Sequence, residues 1–286
     1  MEIVDWTNGV PRSPRFGDVY HSTSGALAQA RHVFLGGCGL PAAWQGKPQW
    51  RILETGFGLG LNFLAAWQAW RDDPHRCGQL IFESVEAWPV APDDIRRAAR
   101  AEGAAGGPVA LGGGLAGEPA DVLSAAWADE LADGLAAAPN WSRGQGRVTL
   151  PLAGGCVVLV VEVGDIITLA TSRTWQGRQD DGARASDRQD GNAEPAATAA
   201  GADVDTAPRV DSIFLDGFSP ARNPAIWSPA VLAALGGRAR AGAGLATWTV
   251  AATVRRGLDE AGFDLVRRPG LPPKRHCLAG RRRPGD

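Results

Sequence analysis

The chain has 286 residues, of which 44% are apolar, and its formal net charge at pH 7 is −2. This length and apolar fraction allow a sizeable hydrophobic core, and we expect residues 1–286 to form one main domain. The near-neutral charge argues against general nucleic-acid binding, so any contact with a nucleic acid must come from a local basic patch.

The four cysteines are scattered along the chain, with no C-x-x-C pair and no histidine at a ligand spacing. This pattern argues against a metal site and fits reduced thiols. The longest apolar run, near Val157 to Val163, is too short to cross a bilayer, and no signal-peptide core is found. We therefore expect a cytoplasmic protein.

Four prolines interrupt residues 1–50. Only the stretch near residues 26–34 has a helical composition. This region predicts a loop-rich cap that packs over the fold that follows it.

A glycine-rich segment follows this cap. The apolar run Arg51 to Glu54 leads into Gly56, Gly58 and Gly60 and then into an apolar helix, which predicts a strand, a ligand loop and a helix start. Glycines allow a ligand to lie against bare backbone at the positive end of a helix. The spacing is G-x-G-x-G, and with acidic Glu54 before it the segment suits a ligand without phosphates, such as S-adenosylmethionine. The alternative is a glycine-rich turn that binds nothing.

The next predicted strand, residues 80–86, ends in Glu86. In doubly wound sheets a carboxylate at this point accepts hydrogen bonds from ribose hydroxyls. Glu83 lies three residues earlier and points to the opposite face. Glu86 is therefore the ribose candidate, and a solvated glutamate at a strand end is the alternative.

The middle of the chain predicts helices over 89–101 and 119–137, with a glycine-rich loop over 103–117 between them. A Gly-Gly turn joins two β-branched runs into a predicted hairpin over 147–163. The hairpin leads to Asp165, which either lies near an adenine and accepts its amine or caps the helix that follows.

Residues 171–208 contain almost no large apolar side chains, so their composition predicts a disordered insertion. Beyond it, strands and helices alternate as in a parallel sheet. The predicted elements are strand 210–216, helix 229–238, strand 244–249, helix 251–261 and a closing antiparallel pair at 263–268 and 275–279. The fold class is thus α/β and Rossmann-like, with a mostly parallel twisted sheet and helices on both faces.

A turn after the strand that ends in Asp216 resembles the acidic, aromatic and proline turns of amino methyltransferases, and its other members are Phe218 and Pro220. An alkylamine must lose its proton before it can attack a methyl group. Asp216 is suited to accept that proton or to hold the amine in line, and a turn-capping aspartate is the alternative. Asn223 and Trp227 follow, and both suit the wall of a substrate pocket. Trp227 also suits a position in the core.

Five segments carry a wider resemblance. The segments DVYHS (18–22), RHVFL (31–35), ETGFGLGLNF (54–63), FLDGFSPARNP (214–224) and VRRGL (254–258) are similar to the methyltransferase domain of the bifunctional tRNA-modifying MnmC family. The resemblance covers nearly the whole chain outside 171–208. It implies S-adenosylmethionine-dependent N-methylation of the aminomethyl group on a wobble uridine, giving 5-methylaminomethyl-2-thiouridine in tRNA.

The resemblance also implies roles for individual residues. The implied cofactor-binding residues are Glu54, Gly56, Gly58, Gly60, Asn62, Glu86 and Asp165. The implied catalytic residues are Asp216, Phe218 and Pro220, and the implied tRNA-binding residues are Tyr20, Asn223, Lys274 and Arg275. No metal is implied.

In the bifunctional proteins an FAD-dependent oxidase domain makes the aminomethyl substrate. We find no such domain in this chain and expect either a separate oxidase that acts upstream or direct receipt of an aminomethyl-uridine. The sequence departs from the family on the substrate side, at His21, Val250 and Leu271 to Pro273, so cofactor binding is the firmer expectation.

Residues 267–286 form a basic C-terminal segment, with seven basic residues and no acid from Arg267 to Arg283. We expect it to hold the tRNA backbone, and a solvated basic tail is the alternative. Two other functions stay open at this point. One is a nicotinamide-dependent oxidoreductase, which would need the wider glycine spacing, and the other is a non-catalytic RNA-binding protein on a methyltransferase scaffold.

Overall fold

A computed structural model of the chain describes residues 1–21, 25–104, 125–172, 175 and 208–284. Its strands are β1 (Arg12–Ser13), β2 (Asp18–Val19), β3 (Gln49–Glu54), β4 (Gln79–Glu86), β5 (Gly146–Leu152), β6 (Val157–Val163), β7 (Val210–Phe214), β8 (Ala239–Thr247), β9 (Phe263–Pro269) and β10 (His276–Arg282). Its α-helices are α1 (Ala26–Gln29), α2 (Gly36–Cys38), α3 (Leu61–Asp72), α4 (Pro92–Ala104), α5 (Ala125–Ala137), α6 (Pro139–Arg143), α7 (Ile166–Thr171), α8 (Pro229–Arg238) and α9 (Ala252–Glu260). A π-helical stretch, Ala30–Leu35, joins α1 to α2.

Eight strands form one sheet in the order β5-β6-β4-β3-β7-β8-β10-β9. The five strands from β6 to β8 in this order pair in parallel, and β5, β10 and β9 pair antiparallel at the two ends. The order changes direction at β3, which lies between β4 and β7, and the glycine segment follows β3. Ligands of such sheets bind at this switch point, at the carboxyl ends of the strands.

The central strands read as nearly continuous apolar runs because both faces of the sheet are covered. Alternate residues of each strand enter two different cores. Ile52 and Phe82 belong to one buried cluster, and Leu53 and Ile213 belong to the other. The predicted mostly parallel α/β fold is confirmed.

Most predicted elements agree with the structure. The hairpin is confirmed by the antiparallel pairing of β5 with β6, with Leu152 opposite Val157. Helix α8 has the predicted bounds, and β9 pairs with β10 as expected. Strand β8 begins at Ala239, five residues before the predicted start, because Ala239 pairs with Val210 of β7 before an irregularity that ends at Gly244.

The prediction of a disordered insertion over 171–208 is wrong at its beginning. Thr171 ends α7, and Trp175 is 5% exposed in the second core, with the Arg238 guanidinium 5.3 Å from its ring centroid. Trp175 is thus a residue of the second core. Most of the insertion, the predicted glycine loop beyond residue 104 and the start of the predicted helix 119–137 lie outside the described residues.

The N-terminal region packs over the carboxyl ends of the strands. Glu2 forms a parallel bridge with Val90, which follows β4, and β1 pairs with β2 as a small hairpin. In the part of the chain that the structure describes, no helix is long and apolar enough to cross a membrane.

Candidate active site

A cavity of about 360 Å³ opens at the carboxyl ends of the central strands. The predicted site residues that line it are Tyr20, Gly56, Gly58, Asn62, Glu86, Asp165, Asp216, Phe218 and Asn223. The predicted site residues outside its lining are Glu54, Gly60, Pro220, Lys274 and Arg275. The structure therefore brings most of the sequence candidates to one place, and the others lie behind or beside it.

The glycine loop forms the floor of this cavity. Gly58 and Gly60 have φ angles of 52° and 71°, and Gly60 is the left-handed residue directly before α3. A Cβ on Gly58 would also approach the Tyr20 ring at 3.4 Å. Side chains at these positions would therefore strain the loop and crowd the cavity.

Backbone amides of the loop already have protein acceptors. The Phe57 N–H donates to the Val85 carbonyl at 3.2 Å, and the Gly60 N–H donates to the Phe57 carbonyl at 2.8 Å. The Gly58 N–H donates to Glu86 Oε2 at 2.7 Å. A pyrophosphate needs such amides for its own oxygens, so this loop is poorly suited to a dinucleotide.

Glu86 lies at the end of β4 and lines the cavity. Its two carboxylate oxygens accept the Gly58 N–H and the Trp88 N–H, each at 2.7 Å. Burial raises the pKa of Glu86, against the effect of these two hydrogen bonds. Because each carboxylate oxygen can accept more than one hydrogen bond, Glu86 retains lone pairs for hydroxyl donors in the cavity.

Asn62, on the first turn of α3, links two buried carboxyl groups. Its Nδ2 donates to Glu54 Oε1 at 2.9 Å and to Asp216 Oδ2 at 2.7 Å. Glu54 is 1% exposed, and the Ser84 hydroxyl donates to its Oε2 at 2.7 Å. Burial raises the pKa of Glu54 well above its usual range, and the neighbouring Asp216 carboxylate adds to the rise.

The Asp216 carboxylate is held by three donors. Besides Asn62, the Gly217 N–H donates to Oδ1 at 2.8 Å and the Trp248 indole donates to Oδ1 at 3.0 Å. The Thr55 hydroxyl accepts the Asp216 N–H at 3.0 Å and donates to its carbonyl at 2.7 Å. These bonds fix the carboxylate at the edge of the cavity, although burial raises its pKa.

The N-terminal hairpin of β1 and β2 packs against the turn that follows Asp216. Phe16 stacks on Phe218 with ring centroids 4.7 Å apart, and Tyr20 meets the same ring edge-on at 5.2 Å. Asp18 Oδ2 accepts the Ser219 N–H at 3.0 Å. Burial raises the pKa of Tyr20, and nearby carboxylates raise it further. The phenol therefore stays neutral.

The remaining turn residues support this arrangement. Trp227 is 6% exposed, and its indole donates to the Phe218 carbonyl at 2.8 Å. It therefore stabilises the turn after Asp216 from the core side. Asn223 lines the cavity, and Pro220 is half-buried outside its lining. His21, one of the departures from the family, also lines the cavity.

The cavity lining is acidic. Its carboxylates are Glu2, Glu86, Asp165 and Asp216, and its one arginine, Arg15, pairs with Glu2 at 2.8 Å. Asp165 is also the N-cap of α7, since its Oδ2 accepts the Thr168 N–H at 2.9 Å. An acidic, partly enclosed cavity favours cationic ligands and disfavours anionic ones.

Lys274 lies at the tip of the β9–β10 hairpin, beside this site. Its ammonium is 3.2 Å from the centroid of the Trp248 ring. Desolvation lowers the pKa of Lys274 to about 8, against the attraction of the Asp216 and Asp18 carboxylates. Its neighbour Arg275 is exposed.

Other members of the basic C-terminal segment contact the protein itself. Arg268 donates to the His32 carbonyl at 3.4 Å, and Arg281 donates to the Cys38 carbonyl at 3.3 Å. Arg282 donates to the Gly236 carbonyl at 3.0 Å, and Arg283 pairs with Asp259 at 2.9 Å and Asp264 at 3.1 Å. These four arginines are therefore used for internal packing, which reduces the predicted basic surface mainly to the hairpin tip and Arg267.

Sequence predictions identify the acidic strand ends and the glycine loop, but they miss several supporting residues. Phe16, Ser84 and Trp248 carry no local signal, because their roles depend on partners far away in the chain. Asp18 and Thr55 do stand within segments that carry the family resemblance, which is a usable signal.

Comparison with known proteins gives related results. Residues 196–283 match a family described as S-adenosyl-L-methionine-dependent methyltransferase. The tRNA 5-methylaminomethyl-2-thiouridine biosynthesis bifunctional protein MnmC of Acidovorax sp. (strain JS42) is 41% identical over 278 residues, which are 97% of this chain and 35% of that protein. The protein of the same name from Delftia acidovorans is 43% identical over 282 residues, 97% of this chain and 34% of that protein. The chain thus spans about a third of the length of these curated relatives.

A solved structure supports the fold. The crystal structure of MnmC2 from Aquifex aeolicus superposes with a TM-score of 0.62 at 18% identity, over 100% of this chain and 72% of that chain. At this identity the likeness concerns the fold alone.

Proposed function

We propose that this chain, which belongs to the family of S-adenosyl-L-methionine-dependent methyltransferases found in the MnmC proteins, methylates the primary amine of 5-aminomethyl-2-thiouridine at the wobble position of tRNA. The relatives are named for the biosynthesis of 5-methylaminomethyl-2-thiouridine in tRNA. The product named there differs from the proposed substrate by one methyl group on nitrogen. A tRNA substrate fits a reaction in the cytoplasm.

The observation that carries the proposal is the acidic cavity beside the glycine loop. S-adenosylmethionine has a sulfonium and an ammonium group, and the substrate amine is an ammonium ion near neutral pH. The three lining carboxylates that are not paired with Arg15, those of Glu86, Asp165 and Asp216, suit these cations. The same carboxylates, and the occupied loop amides, oppose a nicotinamide dinucleotide with its anionic pyrophosphate.

The residues present fit the cofactor. Glu86 has lone pairs for ribose hydroxyls, and Asp165 lines the cavity as an acceptor for the adenine amine. Gly56 and Gly58 leave the floor without side chains, Asn62 lines the cavity, and Glu54 lies behind it. When bound, S-adenosylmethionine supplies an electrophilic methyl group, which forms a bond to the amine nitrogen while the electrons of the carbon–sulfur bond pass to sulfur.

Asp216 is the residue proposed to orient the amine. Three donors hold its carboxylate, and such a carboxylate is a good acceptor for N–H groups of the substrate. Phe218 and Asn223 line the same part of the cavity and form the wall beside the amine. Pro220, outside the cavity lining, shapes the turn that carries Phe218, and Tyr20 packs on that ring from the N-terminal hairpin.

The tRNA itself is proposed to lie along the tip of the β9–β10 hairpin. Arg275 is exposed there, in the same hairpin turn as Lys274, whose ammonium packs on Trp248 beside Asp216. An exposed arginine suits a phosphate contact. The substrate must first be given its primary amine, so we further propose an FAD-dependent oxidase as the upstream partner.

Two measurements test this proposal. S-adenosylhomocysteine should raise the melting temperature of the protein, and NAD should leave it unchanged. A strain without the gene should accumulate 5-aminomethyl-2-thiouridine in its tRNA, seen by mass spectrometry of the nucleosides. Stabilisation by NAD, or an unchanged nucleoside profile, would contradict the proposal.

A further inference from the structure

Lys274 stands out first by its residue type. The chain has 29 basic residues, and only Lys47 and Lys274 are lysines, while the other 27 are arginines. An arginine binds phosphate at least as well as a lysine does, but a guanidinium cannot give up its proton in a protein. A lysine at position 274 is therefore informative about function, because, unlike the arginines, it can become neutral.

The position of Lys274 is the second observation. Its ammonium lies on the face of Trp248, 3.2 Å from the ring centroid, and the indole N–H of that ring donates to Asp216 Oδ1 at 3.0 Å. One tryptophan thus separates Lys274 from the carboxylate that we assign to the substrate amine. Position 274 is exposed beside the cavity and outside its lining, so the lysine can exchange protons with solvent.

Asp216 is poorly placed to remove the proton itself. Burial raises the pKa of Asp216 against the effect of three donors, but a carboxylate remains a much weaker base than an amine, and a carboxylate beside an ammonium strengthens the hold of the ammonium on its proton. The methyl transfer needs the opposite, a neutral amine with a free lone pair. A stronger base near Asp216 would therefore favour the reaction.

We propose that Lys274, in its neutral form, accepts the proton from the substrate ammonium and passes it to solvent. In this step one N–H bond of the substrate breaks and one N–H bond forms on Nζ. The substrate becomes a neutral amine, Lys274 becomes an ammonium, and total charge is conserved. The inference rests on the function proposed above and assigns a catalytic residue to it.

The surroundings make this step feasible near neutral pH. Desolvation lowers the pKa of Lys274 to about 8, so a useful fraction is neutral in the free protein. The charged and titratable groups that face it are Asp216 after β7, Asp18 on β2, and His276 and Cys277 on β10. The two carboxylates and the face of the Trp248 ring favour the charged lysine, whereas a sulfonium and a substrate ammonium in the cavity would favour the neutral one. The bound state therefore prepares Lys274 to accept a proton.

The decisive variant is Lys274→Arg, because it keeps the positive charge and removes the ability to accept a proton. Lys47→Arg is the matched control, since Lys47 is exposed and precedes β3 at the opposite end of the sheet. The assay measures methyl transfer to tRNA that carries 5-aminomethyl-2-thiouridine, with tRNA affinity and S-adenosylhomocysteine affinity measured in parallel. We expect kcat of Lys274→Arg to fall about 100-fold or more, within the usual range for general base catalysis. Both affinities should stay at the wild-type level, and Lys47→Arg should behave as wild type.

A second variant gives an independent readout. Lys274→Ala should regain part of its rate when a small primary amine such as ethylamine is added, because the added amine replaces the missing base. A phosphate-binding lysine would give no such rescue. Wild-type kcat for Lys274→Arg, a fall in tRNA affinity that accounts for the whole rate loss, or no rescue of Lys274→Ala would each overturn the inference. Failure of the proposed function itself would differ, since wild type and Lys47→Arg would then also transfer no methyl group.

Discussion

Replacement of Asp216 by Asn removes one charge from the site and changes its shape very little. The amide oxygen can keep the two bonds that Oδ1 now accepts from the Gly217 N–H and the Trp248 indole. The amide nitrogen would face Asn62 Nδ2 in place of Oδ2. A rotation of the Asn62 amide by half a turn relieves this clash, because Glu54, whose pKa burial raises well above its usual range, can then donate its own proton to Asn62. We therefore expect a folded variant.

The substitution should weaken the hydrogen bond between residue 216 and the substrate amine. A hydrogen bond to a charged group contributes about 1.5–3 kcal/mol, so its loss lowers kcat/KM by roughly 10- to 150-fold. The assay is methyl transfer to tRNA with the aminomethyl nucleoside, from about pH 6 to about pH 9. Because Lys274 takes the proton in our account, the deficit should persist across this range, and S-adenosylhomocysteine affinity should stay unchanged.

The control for the loss of one charge is Asp259→Asn, because Asp259 is exposed and lies outside the cavity lining. Wild-type kcat/KM for Asp216→Asn at every pH would refute the role of Asp216 in orienting the amine, and full rescue at high pH would make Asp216 the base instead.

Three further predictions follow from the same site. Glu86→Ala should weaken S-adenosylhomocysteine binding about ten- to a hundredfold by loss of hydrogen bonds to a charged acceptor, and unchanged affinity in calorimetry would remove Glu86 from the cofactor site. Burial raises the pKa of Glu54, so the stability that its neutral carboxyl contributes is present below its unfolded pKa and is lost as pH rises through the folded pKa. Glu54→Gln is neutral at every pH, and its melting temperature relative to wild type should therefore rise with pH, while a constant difference would contradict this. Arg275→Glu should weaken tRNA binding and flatten the slope of log affinity against log salt by somewhat under one unit for each phosphate that the protein no longer neutralises, whereas Arg256→Glu on α9 should leave both unchanged. Equal effects of these two reversals would place the RNA face elsewhere.

The sequence allowed the fold and the floor of the site to be predicted because their signals are local. The three glycines, the strand that ends in Glu86 and the strand that leads to Asp216 each combine an apolar run with a polar end. One rule, that the carboxyl ends of parallel strands meet, then brings them together. No long-range contact had to be known for this step.

Other features depend on contacts between distant segments and had no local signal. Asp18 meets the Ser219 N–H across 201 positions of the chain, and Trp248 reaches Asp216 from the end of another strand. The basic C-terminal run gave a misleading signal, because a row of arginines looks the same whether it faces solvent or not. The structure shows that Arg282 and its neighbours donate to backbone carbonyls on adjacent elements.

The central claim is that this chain transfers a methyl group to the amine of a modified uridine. The most direct test incubates the purified protein with labelled S-adenosylmethionine and tRNA that carries 5-aminomethyl-2-thiouridine, followed by mass spectrometry of the nucleosides. We predict that the label appears in 5-methylaminomethyl-2-thiouridine, and that tRNA without the aminomethyl group remains unlabelled. Binding of that tRNA without any label in the methylated nucleoside would contradict the account.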